Sequence, residues 1–122
     1  MASIEPLIVV HGLANCDSVK KAQNWLKNRG MQFEFRDFKK SPPALDQIAI
    51  WWEKTGGRGL VNRKSTTWKS LTPDEQSEAD LPAKARLLLA KYPTLIKRPV
   101  VEYGDKLLVG FVKEKDAAFF GG

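Results

Sequence analysis

The order of segments near the amino end constrains the fold more than any other feature. An apolar run, Ile8-Val9-Val10, leads through a short loop at Gly12 to Asn15 into a segment whose apolar residues recur as Val19, Ala22, Trp25 and Leu26. Adjacent β-branched residues predict a buried strand over Leu7 to His11, and the near-helical spacing predicts a helix from Asp17 to Arg29 that Gly30 closes. Gln32 to Asp37, with Phe33 and Phe35 on one side, reads as a second strand. Together these make a β-α-β unit, whose strands run parallel through a right-handed crossover. The loop after the first strand then lies at the carboxyl edge of the sheet, where open α/β sheets bind ligands.

Cys16, the one cysteine of the chain, sits at the end of that loop. The first N–H groups of a helix lack partners within it, and the aligned peptide dipoles leave partial positive charge there, which favours a thiolate over a thiol. Thiol chemistry is therefore the leading expectation. The alternative is a buried cysteine acting as a small hydrophobe. Asn15 is expected to shape the loop through local backbone bonds or to touch substrate directly. Asp17 suits the first turn of a helix, and Lys20 and Lys21 suit solvent. His11, the single histidine, is read as a packed or half-exposed ring, with proton transfer as the alternative.

Beyond Ser41-Pro42-Pro43 the pattern turns helical. A helix is predicted from about Ala44 to Lys54, with Leu45, Ile48, Ala49 and Trp52 on its apolar face, stopped by the glycine-rich Thr55 to Gly59. Short helices follow at Thr67 to Leu71 and after Thr72, where Pro73 and Glu75 complete a capping signature. Pro82 to Tyr92 buries Ala85, Leu88, Leu89 and Tyr92. Strand character returns in Val100 to Tyr103 and Leu107 to Val109, joined by Gly104-Asp105 as a two-residue hairpin. A closing helix is expected from Lys113 to Phe120. The sum is β-α-β, helical insert, β-β-α: one domain with a core from residues 1–40 and 93–122 and an insertion at 41–92.

Composition narrows the classes of function. With 122 residues, 43% hydrophobic and 28% charged, the chain has enough apolar surface for a core without staples. A single cysteine excludes an internal disulfide. No apolar stretch reaches the length of a membrane span or follows a secretory pattern, so the cytoplasm is the expected location, without a membrane partner. The net charge of +6 favours anionic partners. Its basic residues are spread along the chain, whereas nucleic-acid binding calls for a concentrated stripe and a reading module. A monomer is expected, with no metal and no tightly bound cofactor.

Three further segments carry a resemblance. His11-Gly12-Leu13-Ala14-Asn15-Cys16-Asp17-Ser18-Val19-Lys20-Lys21-Ala22, the run Leu60 to Trp68 containing Arg63, and Ile96-Lys97-Arg98-Pro99-Val100-Val101 together resemble the arsenate reductase (ArsC) family, and its YffB-type branch most of all. Leu107 to Phe111 extends the likeness. The resemblance implies a thioredoxin-like fold with a helical insertion, a nucleophilic Cys16, anion-binding Arg63 and Arg98, and a cis Arg98-Pro99 bond facing the cysteine. It places a third arginine near Gly110, where this chain has no basic side chain, and this departure argues against arsenate itself. Guanidinium groups also suit the two carboxylates of glutathione. The implied activity is that of a glutathione-dependent thiol reductase acting on a disulfide or a small anionic substrate, with glutathione as co-substrate. The alternative on the same fold is a regulator or interaction protein like the Spx branch. Spx carries a second cysteine where this chain has Val19.

Overall fold

In a computed structural model, residues 7–110 and 119–120 are described, and they form two compact units. The first takes the described residues up to Asp37 and from Arg98 onward, and the second spans Phe38–Lys97.

The first unit is a four-stranded sheet in the order β2-β1-β3-β4, from β1 (Ile8–Gly12), β2 (Glu34–Asp37), β3 (Val100–Tyr103) and β4 (Lys106–Val109). β1 and β2 pair in parallel, joined by helix α1 (Asp17–Asn28), as the β-α-β reading requires. β3 runs antiparallel to β1 and β4 antiparallel to β3, with Gly104 at φ +63° in the two-residue turn between them. This is the thioredoxin-like arrangement. Alternation along the strands sorts the faces. Ile8, Val10 and Val101 cluster with Val19 and Leu26 of α1 and with Phe120, while Val9, His11, Val100 and Glu102 take the other face. Residues 113–118 of the expected closing helix lie outside the described residues. Phe119 and Phe120 meet edge to face, with centroids 4.9 Å apart.

The second unit holds α2 (Leu45–Thr55), α3 (Thr66–Ser70), α4 (Pro73–Glu78) and α5 (Pro82–Lys91), with 3-10 turns at Arg58–Leu60 and Pro93–Leu95. Helix α2 is rolled relative to the sequence expectation. Ile48 and Trp51 are buried, Trp52 is only half-buried, and Leu45 is exposed. The physical reason lies in the turn that follows: Trp52 lies against the Gly57 backbone, where a β-carbon would stand 2.6 Å from its ring, so Trp51 is the tryptophan left to fill the core. Ala85, Leu88 and Leu89 of α5 are buried as predicted, and α2 packs on α5. Residues 93–97 belong with this unit because Asn62 N–H donates to Leu95 O (2.9 Å) and Lys97 N–H to Leu60 O (2.8 Å).

The capping box at α4 is formed in both directions. Glu75 N–H donates to Thr72 Oγ1, and Thr72 N–H donates to Glu75 Oε1, each at 3.1 Å. The Tyr92 hydroxyl adds a bond to Glu75 Oε2 at 2.9 Å. These donors, the Thr72 amide first and the Tyr92 hydroxyl second, hold the Glu75 carboxyl below its ordinary value of 4.5. A depressed carboxylate contributes stability that is complete above its unfolded-state value and is lost as pH falls through the folded one. Acid titration of thermal stability is therefore expected to show a loss beginning below about pH 4.5 that Glu75→Gln removes. An unchanged acid limb in that variant would assign the loss to other groups.

Candidate functional site

Cys16 is the N-cap of α1, with extended backbone (φ −85°, ψ 126°) and no side-chain cap bond. Its N–H donates to Leu13 O at 3.1 Å, closing the tight turn, and its carbonyl accepts from Lys20 N–H at 3.0 Å as the first helical bond. The sequence dictates this locally: β1 ends at a glycine, the turn follows, and Asp17 supplies an acid to the first helical turn. Cys16 is half-buried and packs against the hydrophobic cluster of the first unit. Asn15 occupies the turn itself and is exposed.

Gly12 fixes how closely β1 approaches α1. A β-carbon there would stand 2.5 Å from Val19 Cγ2, and Val19 is a stiff, fully buried β-branched residue. Gly12→Ala is expected to push the first turn of α1 aside and to cost about 1–3 kcal/mol. Urea denaturation measures the cost, and an unshifted midpoint would mean that Val19 yields freely.

The Arg98-Pro99 bond is cis, as the resemblance implies, and Pro99 is fully buried. Since His11 pairs with Val100 in the antiparallel ladder, Pro99 comes next to the end of β1, at the same edge as the Cys16 turn. Gly110, at φ +73°, reaches this edge too, its N–H donating to Pro99 O at 2.9 Å. Arg98 is half-buried and its Nε is shielded from solvent. The β1–β3 ladder thus brings Cys16, Asn15, Arg98 and Pro99 to one edge of the first unit. His11 faces away from α1. Its ring is buried, and Nε2 donates to Glu102 Oε1 at 2.7 Å, a partner 91 residues distant that local sequence gives no means of finding.

Arg63 belongs to the second unit, and its local geometry follows from Asn62-Arg63-Lys64-Ser65. Asn62 Oδ1 accepts from Lys64 N–H at 3.1 Å, and Ser65 Oγ caps α3 by accepting from Trp68 N–H at 3.1 Å. The Arg63 guanidinium consequently stacks over Trp68 at 4.8 Å and donates from Nη2 to Asp80 Oδ1 at 3.0 Å. Asp80 lies 17 residues further along, beyond the reach of any local pattern around Arg63. Among the described residues, no group of three histidine, cysteine or acidic side chains is placed to hold a metal ion. No described helix is long and apolar enough to cross a membrane.

Known proteins are similar to this chain. A protein of Haemophilus influenzae without an assigned function is 40% identical over 93% of this chain and 99% of its own length. A solved structure named YffB protein is 36% identical, covers 91% of this chain and 96% of its own, and superposes with a TM-score of 0.85. The global transcriptional regulator Spx of Streptococcus pyogenes is 27% identical over 86% of this chain and 78% of its own length. The model of the ArsC family matches residues 11–119, and with the cis proline, the parallel β1–β2 pair and Cys16 at the head of α1 in place, the chain belongs to the ArsC family.

Proposed function

We propose that this protein is a thiol-dependent reductase in which Cys16 is the nucleophile and glutathione the resolving thiol. The observation that carries the reading is the half-exposed Cys16 at the N-cap of a 12-residue helix, at the sheet edge that also holds cis Arg98-Pro99. The Cys16 thiolate attacks one sulfur of a glutathione mixed disulfide, forming a Cys16–S–S–glutathione bond and expelling the other sulfur as a thiolate. Because the chain holds no second cysteine, an external glutathione thiolate attacks this bond, releasing oxidised glutathione and restoring Cys16. Each turnover consumes one glutathione thiol: the substrate sulfur leaves as a thiol, and the disulfide bond passes to oxidised glutathione, which joins the entering glutathione to the one released from the mixed disulfide. Arg98 takes an anionic group of the glutathione moiety, and Asn15 contacts the substrate from the turn.

Intact-mass measurement after mixing with a glutathione mixed disulfide is expected to show one glutathionyl group per chain, removed by reduced glutathione. An adduct that forms and resists release would sink the turnover and favour a second reading, a regulatory protein without catalysis. The likeness to Spx is what supports that second reading.

A further inference from the structure

The second unit contains a cavity of about 520 Å³ lined by Trp52, Gly57, Val61, Arg63, Asp80 and Pro82, among others. That volume falls in the range of small-molecule sites. Its polar groups are of opposite sign and adjacent. Asp80 is the one hydrogen-bond partner of Arg63 among the described residues, and their bond uses one of five guanidinium N–H donors and one of two carboxylate oxygens. Trp68 stacks on the guanidinium and holds its plane. The half-buried Trp52 ring, itself pinned over the Gly57 backbone, supplies an apolar surface.

Such a pair discriminates between kinds of anion. A bare oxyanion brought to Arg63 meets the Asp80 carboxylate beside the guanidinium and is repelled by it. A ligand carrying an ammonium next to a carboxylate meets no such conflict. Its carboxylate takes the remaining guanidinium donors and its ammonium takes Asp80 Oδ2, so that charges alternate around the array and each bond is charge-assisted. The geometry points to this cavity as a site for an α-amino-acid head group, with Arg63 binding the carboxylate and Asp80 the ammonium. The γ-glutamyl end of glutathione has that chemistry and serves as a probe of the cavity, whose assignment goes beyond the reductase reading.

S-methylglutathione is the probe, because its blocked sulfur forms no disulfide with Cys16. In nitrogen-15 NMR titrations it is expected to shift the Trp52 indole and Gly57 amide resonances. The N-acetylated form, which lacks the ammonium, is expected to bind about tenfold more weakly or worse, the weight of one charge-assisted bond. Inorganic phosphate is expected to leave both resonances in place. Asp80→Asn, at a position 70% exposed, is expected to keep the fold and to abolish the preference for the free amine. Equal binding of the two glutathione derivatives by the native protein, or unmoved Trp52 and Gly57 resonances, would overturn the assignment. The mass assay on Cys16 is independent of it: turnover without these shifts removes the cavity assignment alone, and amine-selective binding without turnover removes the reductase reading alone.

Discussion

Cys16→Ser is expected to abolish adduct formation and turnover while leaving the fold as stable as before or slightly more so. The chemical half of that expectation follows from the nucleophile. A serine hydroxyl at neutral pH does not attack a disulfide, and the chain has no second thiol to take over. The structural half follows from position. Cys16 makes no side-chain cap bond, whereas serine is among the preferred N-cap residues, and its oxygen accepts a hydrogen bond from the first turn, an interaction of about 1 kcal/mol relative to alanine. Most active-site substitutions leave a doubt about folding, and this one separates chemistry from stability. Mixed-disulfide turnover and thermal melting read the two halves. Residual turnover in the variant would place the reaction elsewhere than Cys16.

Trp51→Ala is expected to have the largest effect on stability. The indole is fully buried, tilts against Phe38 with ring centroids 6.4 Å apart, and sits on the helix that packs against α5. Removing a buried aromatic side chain costs about 3–5 kcal/mol, because lost transfer energy is compounded by the cavity left behind. A domain of this kind is stable by only about 5–15 kcal/mol, so much of the margin goes. The neighbouring Trp52→Ala, at a half-buried position, is expected to cost less. Urea denaturation of the two variants measures the difference, and equal costs would contradict the observed roll of α2. The residues around Arg63 depend on this packing, so Trp51→Ala is also expected to broaden the Trp52 and Gly57 resonances.

That roll illustrates where local reasoning stops. Leu45, Ile48, Ala49 and Trp52 satisfy helical spacing, and so does the pair Ile48 and Trp51 that the core buries. Periodicity admits both stripes. The choice was made by the turn at Gly57, whose backbone takes Trp52 out of the competition. Capping was legible by contrast, since the Thr72-Pro73-Glu75 signature involves groups within one turn and formed as read.

The candidate site divides along the same line. Cys16 at a helix start, the parallel strand pair and the hairpin at Gly104 were determined by the sequence itself, because strand runs, helical spacing and turn chemistry act over a few residues. The cis Arg98-Pro99 bond was legible through a family resemblance carried by several separated segments at once. Glu102 beside His11 and Asp80 beside Arg63 were decided only by the tertiary structure. Each is a charged partner reached through space, and electrostatic pairing leaves no periodic trace along a chain. Tertiary structure therefore decided the charge environment of Arg63, since a guanidinium with a carboxylate alongside differs in its chemistry from one that stands alone.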